Sequence, residues 1–417
     1  MTLARRARVT VVTSGHLSTC PRMLKSADTL IAAGYDVRVI ATLHEPWAAE
    51  TDRDVALRRT WRAETIDYRR GESGATYWST GVRYRAARAA ADLFGPGRVP
   101  YAVVSRAFGR VHSELVRAIS ADPGDLIYGG TTGALPGIAE AARRSGTTYG
   151  VDLEDFHGGE TSGPDAPLVD ALARRVERAA VSGAAFVTTS SEAIASEYHE
   201  RDGFDAVVIH NTFPLPSRPP DVTRVDPARL RIYWFSQTIG PGRGLENAIV
   251  AAGRAGFPGE LALRGRPQAG YFEKLTALAA LHAPHLDLVH LAPAPPDAMV
   301  DCARGYDVGL ALEGMDARNH QLALSNKALT YILAGLAVAI TDTPGQHPLG
   351  IDLGRAAALV PVDDVDALAA AFARWAADPA ELECAKRTAW AAATRRWHWE
   401  HELERGRLLA LVGEALA

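Results

Sequence analysis

The sequence predicts an α/β fold made of two successive doubly wound domains, and three observations carry that prediction. Short β-branched runs alternate with amphipathic, Ala-rich stretches, the pattern of βαβ units laid on a parallel sheet. The alternation runs through the first half of the chain and starts again after a proline-rich break. Finally, 417 residues exceed what one ordinary core holds, so length alone calls for about two domains.

In the first half the strand-like runs are residues 8–13, 36–42, 125–129, 148–153, 185–190 and 206–210, with helical stretches between most of them. The first helix has clear boundaries: Pro21 suits the opening turn, where its missing N–H is no loss, and Gly34 suits the position just past the end. From Arg53 to Arg117 the rhythm breaks, with thirteen arginines, Trp47, Trp61, Trp78, Tyr68, Tyr77 and Tyr84 nearby, and no strand alternation. One reading is a basic, aromatic face that touches an anionic lipid or a phosphorylated acceptor. The other is a set of solvated helices whose long side chains cover apolar surface. The interspersed Asp54, Glu64, Asp67, Glu72 and Asp92 favour the second.

Residues 212–229, with Pro214, Pro216, Pro219, Pro220 and Pro227, cannot continue a central strand or a helix and read as an extended linker. The second half restarts the pattern with strands at 231–236, 260–264, 286–291, 307–312 and 338–341. After about residue 363 the pattern is helical, and the segment 400–416 has no sheet partner in sequence. The expected organisation is a first domain at 1–215, a second domain at 229–395, and a terminal helix at 396–417 that returns to the first domain.

Composition bounds the function. Hydrophobic residues make up 47% and charged residues 23%, an ordinary globular balance, and a net charge of -4 gives no reason to expect nucleic acid. Cys20, Cys302 and Cys384 lie far apart without metal or disulfide spacing, so the expectation is a reducing compartment and no metal site. No apolar run reaches the length of a membrane span, and residues 3–8 carry no apolar leader region; the expected location is cytoplasmic.

Two doubly wound sheets are expected to present their strand carboxyl ends to one cleft, where ligands of such sheets bind. At the first strand end, Thr13-Ser14-Gly15-His16 offers a glycine turn and a helix start, a candidate contact for phosphate or sugar, with His16 on the acceptor side. At another, Glu154-Asp155-Phe156-His157 concentrates titratable groups, candidates for acid/base or acceptor-binding work. The other reading has the two acids capping a turn and His157 solvated. In the second half, Gln237 to Glu246 leads from a strand into a helix with Arg243-Gly244 at its start, and Ser325-Asn326-Lys327 opens another helix whose free N–H groups suit an anion. Between them Glu313, Asp316, Asn319, His320 and Gln321 follow a strand end.

These motifs resemble the family-4-like class of retaining glycosyltransferases with the GT-B fold. In that class the second domain opens with a strand, a Gly-Arg pair, a short loop and Lys-Gly, and the two cations hold the donor diphosphate. Here Ser236 and Gln237 stand in place of the first pair, while Arg243 and Gly244 take the positions of the second. Residues 325–342 look like the class's helix-then-strand block, with Thr330 and Leu322 where glutamates usually stand. Aligned on Asp152, the class's active-site histidine falls at Glu154. Ser190-Ser191, Asn211 and Trp399, at the opening of the last helix, match as well.

The resemblance implies transfer of a sugar from a nucleoside diphosphate sugar, with retention and without a metal or other cofactor. It names Glu154, Asp155, His157, Arg243 and Lys327 as catalytic. It assigns Gly15, Gln237, Arg243, Gly244, Glu313, Asn319, Ser325, Asn326, Lys327 and Thr330 to the donor, and His16, Glu154 and His157 to the acceptor. The acceptor is a small molecule of secondary metabolism, a thiol among the options, or a glycan or lipid. A sugar-nucleotide epimerase and a catalytically silent scaffold share the fold and stay open as alternatives.

Overall fold

The computed structural model describes residues 6–223, 226 and 228–417; Pro227 of the linker and residues 3–5 of the opening segment lie outside the described residues. The chain forms two compact units, Met1–Ile209 with Arg405–Ala417, and His210–Glu404.

The first unit carries a seven-stranded sheet of β1 (Arg8–Thr13), β2 (Asp36–Leu43), β3 (Arg62–Asp67), β4 (Leu126–Gly130), β5 (Thr148–Leu153), β6 (Phe186–Thr189) and β7 (Val207–Val208). Its order is β3-β2-β1-β4-β5-β6-β7 and all its pairings are parallel. Helices cover both faces of such a sheet, so a strand such as β1 is buried along nearly its whole length. The order reverses between β1 and β4, which makes the carboxyl ends of those two strands the topological switch point. The helix Arg407–Leu416 belongs to this unit and packs against the helix Pro21–Ala32, β4 and β5, with Leu408 and Val412 fully buried. Residues 396–404, expected with that helix, group with the second unit. Trp399 lies ahead of the helix rather than opening it, and its N–H donates to the Phe213 carbonyl at 2.9 Å.

The second unit carries β8 (Leu230–Ile239), β9 (Gly259–Pro267), β10 (Leu286–Leu291), β11 (Val308–Ala311), β12 (Ala337–Thr341) and β13 (Ala357–Val360) in the parallel order β10-β9-β8-β11-β12-β13. Alternate residues of β8 divide between two apolar clusters, Ile232 and Trp234 in one, Tyr233 and Phe235 in the other. Here the order reverses between β8 and β11.

Two strands escape the sequence pattern. The strand β3 sits inside the stretch read as helices only; as a sheet edge it is largely exposed, so its residues are polar and do not alternate. The strand β13 is Ala-Ala-Leu-Val, a run too short and Ala-rich to tell from helix. The rest of the arginine-rich stretch is helical, and many of its arginines are ion-paired, Arg59 with Asp28, Arg69 with Asp67 and Arg83 with Glu114 among them. Among the described residues, no helix is long and apolar enough to cross a membrane, and no cluster of three metal-ligating side chains occurs.

Candidate active site

In the second unit a pocket of about 460 Å³ lies at the carboxyl ends of β8, β11, β12 and β13, lined by Gly242, Gly244, Glu313, Asp316, Thr341 and Asp363 among others. The turn into it requires glycine. Gly244 has φ +68° and stands as N-cap of the helix Leu245–Ala255, and a Cβ there would meet the Leu312 Cβ at 2.6 Å. This brings the loop after β8 against the loop after β11.

Glu313 is the centre of charge. Its carboxylate accepts from Ser325 Oγ at 2.9 Å and from Lys327 Nζ at 2.8 Å, and Arg243 Nη1 stands 3.9 Å from its other oxygen. Burial acts to raise the Glu313 carboxyl, but Lys327, Arg243 and the Ser325 hydroxyl outweigh it and hold the group down at about 2. The two cations differ. The Lys327 side chain is only 10% exposed and pinned to Glu313, whereas the Arg243 side chain is 34% exposed and at the outer limit of ion pairing. Neither lines the pocket directly.

Several sequence expectations change here. Ser325 begins the helix Asn326–Leu333, but its hydroxyl goes to Glu313 and makes no cap bond. Thr330 is fully buried, with its hydroxyl donating to the Asn326 carbonyl at 2.8 Å, so it presents no surface to a ligand. Gln237 is not in a loop: β8 continues to Ile239 through a bulge between Phe235 and Thr238, which leaves Gln237 exposed on the strand. Asn319 is buried in the short helix Arg318–Leu322, at whose start Asp316 pairs with His320 at 3.0 Å. Asn326 is half-buried.

In the first unit the switch-point loops lock together. Thr131, after β4, has φ +73°, an unusual conformation for a β-branched residue. Its hydroxyl accepts from the Ser14 N–H at 2.9 Å and bonds the Ser14 hydroxyl at 2.8 Å. The Gly15 N–H donates to Thr13 Oγ1 at 3.1 Å, and a Cβ at Gly15 would meet the Cys20 sulfur at 2.5 Å. The helical turn that follows has its N–H groups filled from within: Asp52 accepts from Leu17 at 3.2 Å and from Ser18 at 2.8 Å. The anion expected beside Gly15 is therefore a carboxylate of the protein itself. His16 is buried, stacked on His44 with ring centroids 4.1 Å apart, and its Nδ1 lies 3.2 Å from the Thr42 carbonyl.

After β5, Glu154 and Asp155 are half-buried and His157 is not. The His157 side chain is 1% exposed, with Nδ1 3.2 Å from Glu177 Oε1, and Glu177 also takes the Tyr198 hydroxyl at 2.6 Å and Arg201 at 2.8 Å. Burial opposes a charged imidazole, yet the Glu177 hydrogen bond, with Glu160 and Asp155, pushes His157 up to about 9. Neither the solvated histidine nor the acceptor contact expected from sequence fits that enclosure; the ring is an internal cation holding the loop. Glu154 moves in the opposite sense for a carboxylate: burial, then the neighbouring Asp155, push it up to about 8 despite Arg22. The shift favours the protonated acid.

Sequence reading missed Glu177, Tyr198 and Arg22. Arg22 is fully buried and forks onto Asp152 with two bonds of 2.7 Å, joining the first helix to β5 just below Glu154. A charged residue on the apolar side of a helix is the one signal that marked it.

These two doubly wound units have the fold of the GT-B glycosyltransferases, and residues 20–212 match the model of the glycosyl transferase 4-like domain. Among solved structures, the chain is similar to Anabaena HepE in complex with UDP and glucose, at 14% identity, TM-score 0.69 and 99% coverage of both chains. It is also similar to a mutant of S. aureus TarM in complex with Fondaparinux, alpha-GlcNAc-glycerol and UDP, at 7% identity, TM-score 0.70, and 98% and 99% coverage. A third is a structure from Listeria monocytogenes described as a UDP-N-acetylglucosamine 2-epimerase, at 14% identity, TM-score 0.58, and 98% and 96% coverage. No curated protein matches the chain in sequence.

Proposed function

We propose that this protein is a retaining glycosyltransferase that moves a sugar from a nucleoside diphosphate sugar, UDP-linked in the first instance, to a nucleophilic acceptor. The convergence of Arg243 and Lys327 on Glu313 at the switch point of the second unit carries the reading. A diphosphate needs cations, and Arg243, loosely held and partly exposed, is free to turn its planar fork onto one. Lys327 keeps Glu313 fixed and anionic, so that its outer oxygen can accept a sugar hydroxyl. UDP in the HepE and TarM complexes makes it the first nucleotide to try.

In the reaction the bond from the sugar anomeric carbon to the diphosphate breaks, the acceptor oxygen or sulfur bonds that carbon on the same face, and the acceptor proton passes to the departing diphosphate. Arg243 and the helix-terminal amides of Asn326 and Lys327 stabilise the charge that develops, the Ala328 amide being spent on the Ser325 carbonyl at 3.1 Å, and no metal is required. In the first unit Glu154, shifted toward its protonated form, donates a hydrogen bond to the acceptor side, with Asp155 beside it in sequence. That state argues against Glu154 as base or nucleophile. The three distant thiols fit a reducing, cytoplasmic setting.

Calorimetry with UDP tests the donor site. Arg243→Ala is expected to weaken UDP binding by about tenfold to a hundredfold, the worth of a charge-assisted hydrogen bond; unchanged affinity would remove the site. The fold likeness to the Listeria structure favours one competing reading, epimerisation. Incubating a UDP-sugar without acceptor separates the two, since only an epimerase interconverts sugars.

A further inference from the structure

The first unit contains a second pocket that the donor chemistry leaves unused. It measures about 320 Å³ and lies beyond the carboxyl ends of β2 and β3, lined by His44, Glu45, Tyr68, Arg70, Tyr77 and Arg110 among others. One wall is a continuous stack: His16 on His44 at 4.1 Å, His44 on Tyr68 at 5.3 Å, and the Arg110 guanidinium 4.9 Å from the Tyr68 ring and 4.6 Å from that of Tyr77.

The charge in this pocket is unlike that of its surroundings. Arg69 and Arg83 are each tied to a carboxylate, but among the described residues Arg110 bonds only the Thr80 hydroxyl at 3.3 Å and the Tyr77 carbonyl at 3.0 Å. With two aromatic faces against it, the guanidinium is held flat, and two of its five N–H groups are used, which leaves three along its edge. Arg70 is exposed and, among the described residues, has no hydrogen bond or ion pair. Against these two cations the lining sets one carboxylate, Glu45, which forms no ion pair with either. His44 adds no charge, because burial, then His16, hold it below its usual range. A partly buried arginine, flattened by aromatic rings and left without a counter-ion, is a construction for an anion that arrives from outside. The edges of Tyr68 and His44, whose faces are taken up in the stack, suit the face of a ring in an edge-to-face arrangement.

We propose that this pocket selects the acceptor, and that the acceptor carries a phosphate or carboxylate on a ring: the ring sets its face against the edges of His44 and Tyr68 while the anion sits between Arg70 and Arg110. The assignment rests on the reading of the first unit as the acceptor side, and it narrows the acceptor from any nucleophile to an anionic, ring-bearing one. His16 links the pocket to the switch-point loop after β1, and its Nε2 is buried without a hydrogen-bond partner.

Phenyl phosphate is the probe, titrated into the full chain and followed by tryptophan fluorescence, since Trp47 stands edge-on to His16 at 5.5 Å. Phenyl phosphate should bind at least about tenfold more tightly than phenol or inorganic phosphate, and Arg110→Gln and Arg70→Gln should each weaken it by roughly tenfold. Arg70→Gln touches no internal bond, so folding does not confound it. UDP affinity should stay the same in both variants. Sedimentation with phosphatidylinositol vesicles, whose headgroup carries its phosphate on a ring, locates the source: arginine-dependent pelleting places the anion on a lipid headgroup, and phenyl phosphate binding without pelleting places it on a soluble acceptor. If neither phenyl phosphate nor the vesicles bind, or if both variants bind as the wild type does, the proposal is overturned. Loss of UDP binding with phenyl phosphate retained would instead overturn the donor assignment and leave this one standing.

Discussion

Glu154 and His157 stand three residues apart, and their protonation sets a pH dependence that both push the same way. Glu154 titrates near 8 in the folded chain against 4.5 for the free side chain, so the folded state binds the extra proton between those values. Its contribution to stability is complete below 4.5 and is lost as pH rises through 8. His157 titrates near 9 against 6.5; its contribution is complete below 6.5 and lost through 9. The melting temperature is therefore expected to fall between pH 6 and about 9, and Glu154→Gln should flatten the part of that fall below about 8. A scan of melting temperature against pH checks it, and a flat wild-type profile would contradict both assignments. The same substitution is expected to lower turnover while leaving UDP affinity unchanged. Glu313 works in the opposite sense: held near 2, it stabilises the second unit above 4.5 and loses that effect only as pH falls toward 2.

At the level of elements, buried charge pairs join helices to the sheets, Arg22 with Asp152 in the first unit, and Lys327 with Glu313 and Lys386 with Asp307 in the second. In the first unit Arg22 grips Asp152; removing one partner leaves a buried charge without its counter-ion, so Arg22→Met should cost about 3–5 kcal/mol in chemical denaturation. A loss under 1 kcal/mol would show the pair to be incidental. In the second unit the turn after β8 is the sensitive element. Gly244→Ala places a Cβ against Leu312 in a left-handed conformation, and it is expected to destabilise the unit and weaken UDP binding together. The long strands and the first helix were legible in sequence because their periodicity and boundary residues agree with burial. The strand β3 was not, because an edge strand with a solvated face carries no alternation to read.

At the level of the molecule, the chain leaves the first unit after Ile209 and re-enters it at Arg405, so a single terminal helix completes a core begun four hundred residues earlier. Leu408 and Val412 on that helix are fully buried, and Arg407 reaches the Val208 carbonyl at 2.7 Å. Truncation after residue 404 removes two buried apolar side chains worth about 1.5–3 kcal/mol each. It should lower the calorimetric melting of the first unit, while UDP still raises that of the second by mass action. If the truncated chain melts as the intact one does, the helix is not part of that core.

Alternation, breaks and strand-end motifs determined the α/β class, the two successive sheets and the positions of Arg243, Glu313 and Lys327, because these are local properties of the chain. Which of those groups meet, and in what charge state, only the tertiary structure decided. Glu154 and Asp155 read as two carboxylates, but desolvation and the neighbouring Asp155 shift Glu154 toward its neutral form. His157 reads as a loop histidine until Glu177, twenty residues away, encloses and charges it. The anion site at Gly15 was a sound local inference, and Asp52, thirty-four residues beyond the amide it caps, had already filled it. Contacts between distant residues set dielectric and partners, and neither is written in the spacing of a motif.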